Sequence, residues 1–404
     1  MTSSDTTPEV QRPLEGILVA DFSRVLAGPL CTMTLADLGA RVIKVERPGA
    51  GDDTRSWGPP FSGTGATYFE AVNRNKESVC LDLADAQGIQ LARELALRAD
   101  VLVENFKPGG LGKLGLGYAD LSKANPGLVY ASISGFGDGG GRDLPGYDFV
   151  VQALGGLMSV TGEPGGTPMK AGVALVDVLT AKDAATAVLA ALLSRRVTGR
   201  GTHVRLNLLS SLQGALANQA QAFLGAGVVP ARMGNAHPSI VPYQLLDCAD
   251  VPLAVACGND PQFARLAREL GAPGLAQDER FATNSARVQH REELIPLLEK
   301  YLAAAPAAHW QERLTRAGVP AGKVAGIDEG IAYAESLGLD PVLELTDADG
   351  APAGRQIRHP AQWEPALAPR TDAPPRLGQQ TEDVLKWLQE PAPGRTDTRG
   401  YPWR

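Results

Sequence analysis

Cysteine is scarce in this chain. The four present, Cys31, Cys80, Cys248 and Cys257, form no C-x-x-C pair, and eight residues separate the closest two. That excludes a disulfide framework and a zinc ribbon, and fits a reduced, cytoplasmic protein. Five histidines, His203, His237, His290, His309 and His359, fall without metal-ligand spacing, so no metal site is expected. No basic stretch is present: the formal charge is −7 with Lys and Arg scattered, whereas a nucleic-acid binder needs a basic face to neutralise phosphates. The densest apolar run, Ala184–Leu193, is half the length of a membrane span, and the start, MTSSDTTPEVQR, has neither the basic nor the apolar region of a signal peptide. A P-loop, a G-x-S-x-G elbow and an H-E-x-x-H helix are also missing, which leaves nucleotide hydrolysis, serine esterase chemistry and zinc proteolysis without support.

What is there is ordinary globular material. Apolar residues make up 44% and charged residues 21% of 404 positions, enough chain for two to three domains at about 150 residues each. Short β-branched runs, GILVADF (16–22) and RVIKVE (41–46), bracket a helix-like segment ending at Gly39. The pattern recurs in ESVCLDL (77–83), a helix over 85–99, DVLVEN (100–105) and GLVYASIS (127–134). Strands alternating with helices predict an α/β fold with a parallel, doubly wound sheet and ligands beyond the strand C-termini.

A long Ala/Leu helix is expected over 177–196, followed by a strand at HVRLNLL (203–209). From Leu206 to Ala231 no residue is charged for 26 positions, yet Ser210, Gln213, Asn218 and Gln221 are too polar for lipid. The apolar positions keep helical spacing, so a connecting helix over 206–228, covered by protein on nearly all sides, is expected. A second subunit would supply that cover. The reading divides the chain into a large domain over 13–205, this helix, a smaller α+β domain over 229–326 with strands at 240–246 and 252–257, and a return over 327–404. From Ala351 onward the return is proline-rich and extended, apart from a last helix at 382–388.

Gly110-Leu-Gly-Lys-Leu-Gly115 fits G-x-G-x-x-G, but Pro108, Gly109 and Gly117 surround it and no long helix opens on its third glycine, so dinucleotide binding is not supported. Asp177 follows the strand-like run GVALV and precedes the long helix. Its plain role is a helix N-cap. The same place holds a carboxylate beside orphan N–H groups, worth about 0.3–1 kcal/mol, from which it can attack an activated carbonyl. His237 lies in the shaped loop GNAHPSIVPYQ.

The blocks RVLAGP (24–29), VIKVERPGAGDDTR (42–55), NRNK (73–76), VENFKPG (103–109), GYD (146–148) and GVALVD (172–177), in this order, resemble the class III CoA-transferases, the family of formyl-CoA transferase. The resemblance runs from Pro13 to the LGQQTEDVL segment. Within the family, WGPPF, NLLSS, HPSIVPYQ and GNDPQF are most similar to the succinate–hydroxymethylglutarate branch.

The resemblance implies a Rossmann-like large domain built from both ends of the chain, a small middle domain, and a homodimer of two ring-like subunits threaded through one another. It makes Asp177 the nucleophile that takes an acyl group from CoA as a mixed anhydride and then carries CoA as an aspartyl thioester. It implies CoA contacts at Val25, Ala27, Arg47, Leu81, Asn105, Phe106 and Lys113, where a relative carries arginine. CoA is then a substrate, and no cofactor is implied. Two departures stand out. The glycine run that folds over the nucleophile in formyl-CoA transferase is replaced by GNAHPSIVPYQ, and Tyr147 stands where the racemase branch has a histidine. The function expected is CoA transfer from an acyl-CoA such as succinyl-CoA to a dicarboxylic acid. The alternatives are an acyl-CoA racemase or epimerase of the same fold and a CoA-binding protein without turnover. A dicarboxylate's second carboxylate needs a cation or paired donors, for which Arg24, Arg74, His237, Ser239 and Tyr243 are the candidates.

Overall fold

The computed structural model describes residues 11–62 and 65–391. The leader reading of the first ten residues and the end of the expected tail, 392–404, lie outside them. The chain folds as two compact units, one of Met1–Gly155, Gly172–Ala217 and Asp340–Arg404, and a second of Gly156–Ala171 and Asn218–Leu339. This differs from the expected division: 156–171 goes with the smaller unit, and so does the helix Ile327–Ser336, which the sequence reading places in the return.

The larger unit is built on six parallel strands: β1 (Leu18–Asp21), β2 (Arg41–Glu46), β3 (Lys76–Cys80), β4 (Val101–Glu104), β5 (Val129–Ser134) and β6 (His203–Asn207). Their order is β3-β2-β1-β4-β5-β6. β1 and β4 are buried at every position, their terminal acids Asp21 and Glu104 included, as strands covered on both faces. Strand order reverses between β1 and β4, so the loops leaving their C-terminal ends border the crevice where this architecture takes ligands. Ile43, Leu95, Leu102, Leu121 and Tyr130 belong to the apolar layer beneath that edge. Asp85 caps the helix Ala86–Arg98 by accepting the N–H groups of Gln87 and Gly88 at 2.9 and 3.2 Å.

Two expectations are corrected. GVALV is not a strand: Leu175 already starts the helix Leu175–Thr198, which stops where Gly199 takes φ +70°. The uncharged stretch is not one helix. Leu206 and Asn207 finish β6, Asn207 caps a helix over Leu208–Ala215 through the Ser210 N–H, and Ala217 at φ +41° separates it from a second helix, Ala217–Ala226. In the return, an antiparallel hairpin pairs Val342–Thr346 with Pro352–Ile357. Proline is tolerated there because it opens the second strand, where no ladder N–H is needed.

The smaller unit holds three antiparallel strands, β7 (Tyr243–Leu246), β8 (Leu253–Ala256) and β9 (Ala321–Lys323), in that order. Helices Asp260–Glu269, Arg291–Leu302 and Ala307–Arg316 bury Phe263, Leu266, Leu298, Trp310 and Leu314 together with the strands. Arg287 is fully buried, donating to the carbonyls of Val241 and Phe281 and pairing with Asp260 at 2.8 Å. Among the described residues, no helix is long and apolar enough to cross a membrane.

Candidate active site

The loop after β1 is fixed from below by buried charges. Lys76 Nζ reaches Asp21 at 3.1 Å, the Pro29 carbonyl at 2.8 Å and Asn73 Oδ1 at 2.9 Å, while Lys44 Nζ pairs with Asp52 at 2.9 Å and donates to the Ser23 carbonyl at 2.7 Å. Burial opposes charge on Asp21, but Lys76, Lys44 and the hydroxyls of Ser23 and Thr32 outweigh it and hold the carboxyl at about 2. Val25 takes φ +70°, a costly conformation for a β-branched residue, and its N–H is shared between both Asp52 oxygens at 3.3 Å. Gly28 has a packing reason: a Cβ there would lie 2.2 Å from Ser23 Cβ. Ala27, one of the expected CoA contacts, begins the helix Ala27–Asp37 and is buried.

Asn105 joins this loop to the one after β4, accepting the Arg24 N–H at 2.9 Å and donating to the Arg24 carbonyl at 2.7 Å. The Arg24 guanidinium lies 5.7 Å from the centre of the Phe106 ring. Asp53 bridges Arg24 and Arg47, at 3.1 and 2.7 Å. Arg24, Arg47, Leu81 and Phe106 line one cavity of about 240 Å³, with Lys44 and Asp52 in its wall. The structure thus brings four sequence-derived candidates together at the switch point, with Val25 and Asn105 bonded to their neighbours. Arg24 joins the group expected to contact CoA. Lys113 is exposed on a short 3₁₀ turn, Leu111–Leu114, outside that cavity's lining.

Asp177 is not an N-cap. It lies within the first turn of Leu175–Thr198; Ala174 holds the cap position without a side-chain bond. The orphan N–H of Val176 instead faces Asp148 Oδ2 at 3.4 Å, and Asp148 is held by Gln152 Nε2 at 2.7 and 2.9 Å. Asp177 therefore keeps its oxygens for other chemistry. Burial, and then the nearby Asp148 charge, raise its carboxyl to about 7. Tyr68, whose ring is 5.1 Å from that of Trp57, has its phenol pushed up by burial and by the charges of Asp177 and Asp148. It stays a neutral phenol that feels the charge of both acids. Neither Tyr68 nor the effect of the Asp148 charge on Asp177 was legible: ATYFE carries no motif, and GYD drew attention to Tyr147, which is exposed.

Arg74 is elsewhere. It is buried and forks onto Asp37 at 3.0 and 2.6 Å, with its remaining donors on Gln356 Oε1 and the Ile357 carbonyl, both at 3.0 Å. It lines a different cavity of about 710 Å³ with Asp37, Lys182 and His359. A guanidinium so fully engaged braces the hairpin of the return and has no fork left for a substrate. In the smaller unit, His237, Ser239 and Tyr243 do come together: the His237 and Tyr243 rings are 5.2 Å apart, and the Ser239 N–H donates to His237 Nδ1 at 3.0 Å.

Comparison with known proteins places this geometry. The mouse succinyl-CoA:glutarate CoA-transferase is 42% identical over 379 residues, covering 93% of this chain and 86% of that protein. The succinate–glutarate CoA-transferase of Agrobacterium fabrum is 42% identical over 95% of this chain and 97% of its own. A CAIB/BAIF family protein from Brucella suis has the same fold, with a TM-score of 0.83 and 42% identity over 94% of this chain and all of that one. Residues 14–381 match the family description of these enzymes from the strand that opens the sheet to the helix that closes the return, and the chain belongs to CoA-transferase family III.

Proposed function

We propose that this enzyme moves CoA from succinyl-CoA to a dicarboxylic acid of the glutarate type, with Asp177 as the nucleophile. The observation that carries the reading is Asp177 itself, a half-buried carboxylate at the start of a long helix, raised to about 7 and left without a capping duty. A carboxylate desolvated this far is a stronger nucleophile once ionised. The names of both curated relatives, which pair succinate or succinyl-CoA with glutarate, support the substrate class.

Ionised Asp177 attacks the thioester carbonyl, the C–S bond breaks, and CoA thiolate leaves a succinyl–aspartyl anhydride. The thiolate then attacks the aspartyl carbonyl, releasing succinate and leaving an aspartyl-CoA thioester. An acceptor carboxylate attacks that thioester, and returning thiolate takes the new acyl group and frees Asp177. Activation passes between carboxylate and thioester with little net energy change, so the cycle calls for no cofactor, and the anhydrides must be kept from water. Arg24 and Arg47 supply positive charge for CoA phosphates, with Asp53 as their counter-ion before CoA arrives. Tyr68 can donate to the thioester oxygen as charge develops there.

His237, Ser239 and Tyr243 remain the proposed readers of the acceptor's second carboxylate: the loop and the first residue of β7 offer an imidazole and two hydroxyls. His237→Ala and Tyr243→Phe should raise KM for dicarboxylates more than for monocarboxylates; equal losses would reduce the loop to a wall. A homodimer is supported by large apolar side chains left exposed, among them Leu193, Val197 at 90%, Phe223 and Leu224 at 76%. Four free cysteines support a reduced, cytoplasmic setting.

The deciding experiment incubates enzyme, succinyl-CoA and a panel of acids, and follows acyl-CoA species by mass. New glutaryl- or related dicarboxyl-CoA is expected, with an aspartyl adduct trapped on Asp177. Deuterium entering the α-carbon without transfer would instead make the enzyme a racemase, and binding without either would leave a CoA-binding protein.

A further inference from the structure

β4 ends on Glu104, a buried carboxyl that the cycle above does not use. Its Oε2 accepts the Phe106 N–H at 2.8 Å. Ser132 stands opposite it in register on β5, where its hydroxyl helps to hold the carboxylate's charge, and that hydroxyl is 2.9 Å from His203 Nε2 on β6. His203 is packed between the rings of Tyr118 and Tyr130, 5.0 and 5.1 Å away.

A hydroxyl carries one proton and cannot donate to both neighbours, so the direction of this chain of bonds depends on Glu104. With Glu104 ionised, Ser132 donates to the carboxylate and His203 Nε2–H donates to Ser132. With Glu104 protonated, its O–H donates to Ser132, Ser132 donates to a bare Nε2, and the imidazole proton sits on Nδ1. A bond from Phe106 N–H to a carboxylate is also roughly twice as strong as one to a neutral acid.

We propose that Glu104 is a positioning residue for the CoA-contacting loop: its ionised carboxylate, oriented through Ser132 and His203, holds the Phe106 N–H and with it the ring beneath Arg24, and protonation loosens that hold. The inference rests on the reading of Phe106 as a CoA contact. Burial, helped by the charge of Asp138 and opposed by the bonds from Ser132 and Phe106, holds Glu104 at about 7. The other groups facing the chain of bonds do not compete near neutrality. Burial keeps His203 down at about 4, and it pushes the Tyr130 phenol far up. Arg205 is paired with Asp138 at 3.0 Å, Tyr118 packs its ring on His203, and Arg24 is turned to Asp53 and the Phe106 ring.

The test measures binding of a non-transferable S-alkyl-CoA to the full-length protein by calorimetry between pH 5.5 and 8.5. It compares the wild type with Glu104→Gln, Ser132→Ala and Phe106→Ala. Wild-type affinity should weaken roughly three- to tenfold as pH falls through about 7, beyond the change that titration of CoA's own phosphate produces in Glu104→Gln. Glu104→Gln should otherwise be flat at the weak end, and Ser132→Ala, which removes a bond to the carboxylate, should move the midpoint upward. The ¹⁵N shifts of His203 should change tautomer with the same midpoint and stay constant in Glu104→Gln. A Glu104→Gln profile that tracks the wild type while Phe106→Ala weakens binding would overturn the positioning role alone; unchanged binding in Phe106→Ala would overturn the loop reading beneath it.

Discussion

Replacing Asp177 with asparagine keeps the shape of the side chain and removes its charge, which separates what this residue does for stability from what it does for turnover. In the folded chain the carboxyl sits at about 7 against an ordinary value of 3.8, because burial and then Asp148 disfavour the anion. That difference corresponds to on the order of 4 kcal/mol. The sign follows from proton binding. Between the unfolded value near 4 and the folded value near 7 the native state holds a proton that the unfolded chain has released, so native stability is full below that window and declines as pH rises through it. An amide at this position does not titrate and contributes no such decline. Urea unfolding at fixed protein concentration should therefore show Asp177→Asn more stable than wild type at pH 8, with the gap narrowing by on the order of 2–3 kcal/mol at pH 5. Transfer should vanish in the same variant, while wild-type kcat climbs through about pH 7 as the nucleophile ionises. Asp148→Asn should move that kinetic midpoint downward, since it deletes the second cause of the raised value. A stability gap that does not change with pH, or turnover in Asp177→Asn, would refute the reasoning.

Arg47→Ala should raise KM for acyl-CoA roughly tenfold with kcat little changed, because it removes a charge-assisted contact and not the nucleophile; steady-state kinetics with varied succinyl-CoA check this. Arg74→Ala should cost about 3 kcal/mol in urea unfolding by leaving the nearly buried Asp37 with the Asn75 amide in place of a cation, and should leave the ratio of dicarboxylate to monocarboxylate KM unchanged; a selective rise for dicarboxylates would restore the substrate role expected from sequence. The protein should remain a dimer at nanomolar concentration by mass photometry, and a folded monomer there would remove the proposed cover over Val197, Phe223 and Leu224.

The sheet was legible because its strands are the simplest signal a sequence carries. LVAD and VLVE each open with three consecutive apolar residues and no alternation, the signal of a strand covered on both faces, before ending on an acid. Asp177 stood out in the sequence as the proposed nucleophile but its geometry did not, since a carboxylate ahead of an Ala/Leu helix looks the same whether it caps the first turn or stands inside it. That distinction was made by Asp148, whose oxygen faces the N–H of Val176 from 28 positions earlier. Arg74 shows the opposite limit. Its block marks the family, but its partners Asp37, Gln356 and Ile357 include residues 282 and 283 positions away, so no local pattern could show that its fork was already taken.

Burying charges in the larger unit is expensive, and pairing rarely offsets the whole cost of desolvation. Their placement explains why they are there. The loops after β1 and β4 are irregular, so their backbone groups have no ladder or helix to satisfy them. In this structure those groups end on the buried charges: Ser23 N–H on Asp21, the Ser23 carbonyl on Lys44, Val25 N–H on Asp52, Phe106 N–H on Glu104. Glu46 extends the arrangement by accepting the Asp52 N–H at 2.9 Å while gripping Arg55. Ionic side chains here do for two loops what hydrogen-bonded neighbours do for a strand. They also tolerate what a ladder would not, a β-branched residue at φ +70° and a glycine pressed against Ser23, so the backbone at the switch point can take a shape set by the ligand and still be rigid.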